Sequence, residues 1–294
     1  MKVDKDNIAR KKEDLIRLLR DAGSLLVAFS GGVDSSFLLA VAHETLGEDA
    51  VAATAVSEIY PVREKDAATR FAQEMGIEHI LFRSDETRLP HFVSNGPDRC
   101  YHCKKSLFKK LTEIGKERGI KHVAHAANVD DLKDYRPGLR AAGEMGIVAP
   151  LIDAGFSKQE IRFLSKEMGL SAWDKPAMAC LATRIPYGSS ITAEKLKMID
   201  EAEEFLLERG VRQCRVRHHG SVARIEVEGL GLEVIMADNL REAIVQKFRE
   251  IGFLHIAVDL EGYISGGMNR VLEIEPPQKG LFQRAKVLQK CIDR

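Results

Sequence analysis

Leu25-Leu26-Val27-Ala28-Phe29-Ser30-Gly31-Gly32-Val33-Asp34-Ser35-Ser36 runs from an apolar stretch into a serine- and glycine-rich turn, and the helical apolar pattern Phe37-Leu38-Leu39-Ala40-Val41-Ala42 follows. The order is buried strand, tight turn, helix N-terminus. Adjacent glycines let backbone N–H groups approach an anion with no Cβ in the way. The positive end of the helix dipole and the hydroxyls of Ser30, Ser35 and Ser36 favour phosphate there. The Gly-x-x-x-x-Gly-Lys-Ser/Thr spacing of the common phosphate loop is missing, so transfer of a γ-phosphoryl group is not implied.

Outward from this turn the pattern alternates. Strand-like runs at 25–29, 51–56, 79–82, 122–126 and 147–149 are interleaved with helical patterns at 35–47, 62–76, 104–118 and 157–168. A first helix over 1–22 carries Ile8, Leu15, Leu18 and Leu19 on one face. The alternation predicts an α/β fold, a parallel sheet with helices on both faces. Ligands in such sheets sit beyond the carboxyl ends of the strands. The turn at Ser30 lies at such an end, as do Ser57-Glu58 and Ala127-Asn128-Val129-Asp130-Asp131. Residues 173–190, with two prolines and a glycine, read as a loop. A smaller α/β unit follows: a helix over 192–209 capped by Thr192, a hairpin of 213–217 and 222–228, a helix over 239–251 and a strand over 254–260. The expected division is 1–187 and 188–294, without internal repeats.

The 294 residues are 45% hydrophobic and 30% charged, the proportions of a globular protein. Lys+Arg and Asp+Glu are both 44, so no global field recruits nucleic acid. The N-terminus lacks the apolar core of a signal peptide, and no apolar run nears the ~20 residues that span a bilayer. A cytoplasmic enzyme with no membrane partner is expected. Disulfides are rare in that compartment, so the five cysteines need another account.

Cys100 and Cys103 form a Cys-x-x-Cys pair, and Cys180 sits in the second loop. Both loops are expected at one sheet edge. A [4Fe–4S] cluster on three thiolates, which leaves one iron open, is the reading the third cysteine favours. A zinc site with His102 or His91 as fourth ligand, and thiol or persulfide chemistry, remain alternatives. The pair is not expected to open a helix after a thioredoxin-like first strand. Cys214 and Cys291 read as a buried small hydrophobe and an incidental thiol.

Taken together, Ser30–Ser35, Cys100–Cys103, Asn128–Asp131 with Asp134–Gly138, Pro176–Gly188, Arg215-Val216-Arg217, Ala223–Glu226 and Gly262–Gly266 resemble the LarE group of PP-loop ATP pyrophosphatases, nearly end to end. The first motif is common to all PP-loop enzymes; the later ones are more selective. The resemblance implies a PP-loop (adenine nucleotide α-hydrolase-like) domain followed by a smaller one. It implies ATP-dependent sulfur insertion into a pyridinium biscarboxylate mononucleotide, for the nickel-pincer nucleotide cofactor of lactate racemase. ATP with Mg²⁺ would adenylate a carboxylate, pyrophosphate would leave, and sulfur would displace AMP. ATP would bind at Ser30, Gly31, Gly32, Asp34, Ser35, Ser36, Asn128, Asp130 and Asp131. Asp34, with Asp130 or Asp131, is the candidate for Mg²⁺.

By the same resemblance Arg215 and Arg217, alternating on one strand face, would bind the mononucleotide phosphate. The other reading of these arginines is cross-strand pairing with Glu226 or Glu228. Glu203 resembles a functional acid, or is an exposed helix charge. His218 and His219 are read as exposed turn residues or additions to the anion site, and Trp173 as a loop anchor. The sacrificial type of the family gives up the sulfur of the cysteine matching Cys180 and lacks the Cys-x-x-Cys pair. This chain has the pair and so looks like the three-cysteine type, in which a [4Fe–4S] cluster on Cys100, Cys103 and Cys180 carries sulfur from sulfide or another donor. Sacrificial transfer from Cys180 and cluster-dependent tRNA thiolation are the alternatives. Against the second stand the balanced charge and the lack of further zinc-ribbon cysteines, so no nucleic-acid partner is expected. A homo-oligomer is expected from the resemblance alone.

Overall fold

The computed structural model describes residues 4–264 and 266–271; Ser265 and Cys291 lie outside them. Helix α1 (Lys5–Ala22) is capped by Asp4 and buries Ile8, Leu15 and Leu19. Next come β1 (Leu25–Ala28), α2 (Val33–Leu46), β2 (Ala50–Val56), α3 (Val62–Glu74) and β3 (His79–Arg83). After them come α4 (Pro90–Val93), α5 (Arg99–Glu117), β4 (His122–Ala124), α6 (Pro137–Glu144), α7 (Pro150–Asp153) and α8 (Lys158–Glu167).

The first four strands form a parallel sheet in the order β3-β2-β1-β4. The alternation along β1 explains the layering. Leu25 and Val27 face a core shared with α1, α2 and α8 (Leu15, Phe37, Ile161). Leu26 faces the opposite core, where α5 contributes Leu107, Phe108 and Leu111. The expected strand at 147–149 shrinks to a single parallel bridge, Ala124 to Val148, because Pro150 opens α7 at once.

The second unit holds α9 (Ala193–Leu207), β5 (Cys214–His219), β6 (Val222–Val227), α10 (Gly231–Met236), α11 (Asp238–Ile251) and β7 (His255–Val258). β5 and β6 pair antiparallel, and β7 adds parallel to β6. Phe205 and Leu206 of α9 and Phe248 of α11 pack on Val216 and Ile225. Thr192 caps α9 as expected. Among the described residues no helix is long and apolar enough to cross a membrane.

Helix α5 corrects the sequence reading: it starts at Arg99, not 104, so Cys100 and Cys103 occupy its first turns. Its buried face is Arg99, Cys103, Leu107 and Leu111, an i, i+4 series that begins with a cation and a thiol rather than with aliphatic side chains.

The two units share a core across residue 187. Ile59, Phe92 and Cys103 pack with Leu181, Ile185, Ile191 and Ile199. Asn95 pins this junction. It is fully buried at φ 56°, and its amide donates to the carbonyls of Ile185 (3.2 Å), Pro186 (2.8 Å) and Ser189 (2.9 Å) while its oxygen accepts from Arg99. Asn95→Ala takes a partner from the buried Ile185 carbonyl and the buried Arg99 guanidinium and should cost about 2–3 kcal/mol. Urea unfolding measures the loss, and limited proteolysis should cut first within 185–190.

Candidate active site

The phosphate loop is a cradle of serines at the end of β1. Ser30 and Ser35 hydroxyls lie 3.0 Å apart, Ser35 donates to the Gly32 carbonyl (3.1 Å), and the Gly32 N–H donates to Ser30 Oγ (3.4 Å). Gly31 has φ 67°, and a Cβ there would stand 3.2 Å from Ala68 of α3, so glycine is required on both counts. The Ser36 hydroxyl is buried without a partner.

Asp34, at the start of α2, faces Asn128 (3.3 Å) and the Lys158 ammonium (2.5 Å). Burial raises its pKa and Lys158 opposes that rise. Asn128 caps the 3-10 turn after β4, and Asp131 closes the capping box by accepting the Asn128 N–H at 3.0 Å. The remaining oxygen of Asp131 pairs with Arg136 at 2.9 Å. Asp130 accepts from Lys133 (2.7 Å) and from the Lys158 N–H (2.9 Å), which holds its carboxyl below the usual range. Asp34, Asn128, Asp130 and Asp131 therefore meet at the carboxyl ends of β1 and β4, as expected, and Lys158 meets them there. No local motif marks Lys158; it follows a plain capping box, Ser157 with Glu160.

A cavity of about 180 Å³ opens beside Ser30, lined by Phe29, Thr54, Val56, Tyr60 and Lys104 among others. Its floor is fixed from behind: His79 lies 2.7 Å from Thr54 Oγ1, which donates to the Phe29 carbonyl at 2.8 Å.

The cysteines gather around Tyr60. Cys103 and Cys180 belong to one apolar cluster with Tyr60 and Leu181. Burial pushes the Cys100 thiol up, the neighbouring Cys180 adds to that, and Arg99 and Lys104 pull the other way. Burial pushes Cys103 far up, again with Cys180 and Cys100 adding to it. The Tyr60 phenol is raised by burial and by Cys103, Glu86, Cys180 and Cys100. All three thiols thus lie within charge reach of one another. As they stand among the described residues, no three His, Cys, Asp or Glu side chains are arranged to hold a metal ion. His91 and His102, the zinc candidates, stack on each other at 4.4 Å, with His102 on Asp98. Cys214 is buried in β5, its thiol pushed up to about 12 by burial and Glu203.

The segment carrying Cys180 is held by its carbonyls. Arg162 donates to those of Trp173 (2.9 Å) and Lys175 (2.7 Å), Arg215 to Ala177, Arg184 to Ala179 (2.8 Å) and Cys180 (3.1 Å), and Arg217 to Thr183 (2.8 Å). The Leu181 N–H donates to the Ile59 carbonyl at 2.8 Å, beyond the end of β2. Arg184 and Glu203 form a two-pronged buried pair at 2.8 and 2.9 Å. Glu203 is therefore not an exposed helix charge. Burial alone would raise its pKa; Arg184 reverses the sign.

Arg217 is paired with Glu226 (2.9 and 2.5 Å), the cross-strand partnership considered from sequence. Among the described residues, Arg215 donates to the carbonyl oxygens of Ala177 and Cys214 and lies over the face of Tyr263, with Glu203 within charge reach. His218 is buried against Phe253 rather than exposed, and burial lowers its pKa. Trp173 is partly exposed beneath Lys166, 4.6 Å from the ring. Lys158 and Lys175 are residues that local motifs did not reveal, because their partners lie far away in sequence, and Arg184, though inside the Pro176–Gly188 match, was given no role there.

Comparison with known proteins agrees with this geometry. The asparagine synthase family profile matches residues 15–96, which contain the phosphate loop. An uncharacterised protein of Synechocystis sp. is 42% identical over 262 residues, 89% of this chain and 98% of its own. A tRNA-specific 2-thiouridylase of Rickettsia typhi is 29% identical, over 52% of this chain. The pyridinium-3,5-bisthiocarboxylic acid mononucleotide synthase of Lactiplantibacillus plantarum is 35% identical over 266 residues, 90% of this chain and 96% of its own. With that likeness running end to end and the serine cradle in place, the chain belongs to the LarE family of PP-loop ATP pyrophosphatases and is an enzyme of its ATP-using, sulfurtransferase kind.

Proposed function

We propose that this enzyme inserts sulfur into the carboxylates of pyridinium-3,5-biscarboxylic acid mononucleotide, at the expense of ATP, in making the nickel-pincer cofactor of lactate racemase. The observation that carries the reading is the adjacency of two unlike chemistries: a phosphate cradle with a cavity beside it, and three thiols within charge reach of one cavity-lining side chain, Tyr60. A carboxylate oxygen attacks the α-phosphorus of ATP and pyrophosphate leaves. Hydrosulfide then attacks the acyl carbon; the C–S bond forms as the C–O bond breaks, and AMP departs with that electron pair. No electrons are exchanged.

Asp34 suits Mg²⁺, since a Lys158 ammonium already stands as a cation against it. Asp130 and Asp131 have their oxygens occupied by protein partners and serve to shape the turn. Arg215 is the better ligand for the substrate phosphate, because its present acceptors are neutral carbonyls that a phosphate outcompetes; Arg217 is already neutralised by Glu226. Three thiols in an apolar pocket suit a [4Fe–4S] cluster as donors, and such a cluster on Cys100, Cys103 and Cys180 would supply bound sulfur to the acyl-adenylate. The balanced charge and the engaged arginines speak for a small substrate rather than tRNA.

The direct test is anaerobic turnover of the purified protein with ATP, sulfide and the biscarboxylate mononucleotide, followed by mass spectrometry. One AMP and one pyrophosphate per thiocarboxylate are expected; ATP consumption with no change of the mononucleotide counts against the reading. Anaerobic reconstitution should give broad visible absorption that Cys100→Ala abolishes, whereas stoichiometric zinc with full activity defeats the cluster. After many turnovers the Cys180 peptide should keep its mass. Loss of H₂S from Cys180, once per product, points instead to sacrificial transfer.

A further inference from the structure

Lys175 stands five residues before Cys180, yet its side chain leaves the loop and ends on the phosphate cradle. Its ammonium donates to the Gly31 carbonyl at 3.1 Å and pairs with Glu64 of α3 at 2.8 Å. Both ends of this strut are fixed. Gly31 is wedged against Ala68 of the same helix α3. On the other side Arg162 of α8 holds the carbonyls of Trp173 and Lys175 itself, and the Lys175 N–H donates to the Ala172 carbonyl at 3.1 Å. From Lys175 to Cys180 the chain has little slack. Pro176 restricts the backbone, Arg215 holds the Ala177 carbonyl, and Arg184 holds those of Ala179 and Cys180.

We infer that Lys175 is a positioning residue that keeps the Cys180 segment in register with the phosphate loop and relays nucleotide loading to it. The inference rests on the ATP-binding part of the proposed function and not on the sulfur chemistry. A triphosphate on the Ser30–Ser36 loop brings negative charge beside the Lys175 ammonium, in competition with the neutral Gly31 carbonyl and with Glu64. That difference in partners between the free and loaded loop is the differential contact that coupling requires. The path is a chain of bonded groups with fixed supports at Arg162, Arg215 and Arg184. It ends on the backbone that carries Cys180. Loading ATP then orders the thiol, and ordering the thiol segment favours ATP by the same factor.

Hydrogen–deuterium exchange with and without α,β-methylene ATP tests this without any sulfur transfer. In the wild type the analogue should slow exchange in the peptide over 25–40 and, by about fivefold or more, in the peptide over 176–184. In Lys175→Ala the first protection should persist and the second should vanish, with Tm checked to show that the variant is folded. Lys175→Arg, long enough to reach both partners, should restore it. Protection of 176–184 that survives in Lys175→Ala overturns the inference. So does loss of both protections in that variant, which makes Lys175 a nucleotide ligand. Protection of 25–40 alone in the wild type overturns the inference and spares the nucleotide reading; protection of neither defeats both.

Discussion

A guanidinium and a carboxylate closed off from water hold the reactive half of this enzyme together. Arg184 and Glu203 have side-chain exposures of 0% and 1%, so each charge depends on the other, with Arg63 also 3.7 Å from Glu203. Desolvation of such ions is costly, and removing one partner of a buried pair typically costs about 3–5 kcal/mol. The remaining hydrogen-bond capacity of the pair is used to tie separate elements. Glu203 accepts the Val216 N–H at 3.0 Å, joining α9 to β5, while Arg184 reaches the carbonyls of Ala179 and Cys180. One ion pair thus fixes a helix, a strand and the cysteine segment in a single frame. A loop with two prolines and no regular ladder would otherwise leave its carbonyls to water; here arginines take the place that a neighbouring strand would fill.

The two halves of the site follow opposite electrostatic logic. At the phosphate loop, backbone N–H groups, a helix N-terminus and Lys158 prepare for negative charge that is still to come. At the thiols, burial works against negative charge, and only Arg99 and Lys104 pull the other way. A buried thiol becomes a thiolate when a positive centre compensates for the lost water. Burial therefore favours the protonated thiols at Cys100 and Cys103.

How much of this was legible in sequence follows from the range of each interaction. The strands β1 to β4, the phosphate turn and the Thr192 cap depend on neighbours within a few residues, and their patterns were plain. The beginning of α5 was hidden because its buried stripe opens with Arg99 and Cys103, residue types that hydrophobic periodicity does not count. The shared face of Arg215 and Arg217 and the pairing with Glu226 were legible, but their backbone partners were not. Strand alternation places them together, yet it does not show that the carbonyls of Ala177 and Thr183 lie opposite. Lys175 gave no signal at all: its partner Gly31 is 144 residues away, and nothing local distinguishes a reaching lysine from a solvated one.

The same long-range contacts bear on how a reactive intermediate could survive. An acyl-adenylate is lost to water unless the next nucleophile is near and water is kept out. Tyr60 and Lys104 line the cavity beside the phosphate loop and also lie within charge reach of the thiols, so the two centres share these side chains. Behind them, Ile59, Leu181 and Ile185 pack with Ile191 and Ile199 of the smaller unit in one apolar wall, with the backbone bond from Leu181 to Ile59 closing it. That wall cannot form from either unit alone. The smaller unit therefore supplies part of the apolar wall behind the thiols, through Ile191 and Ile199.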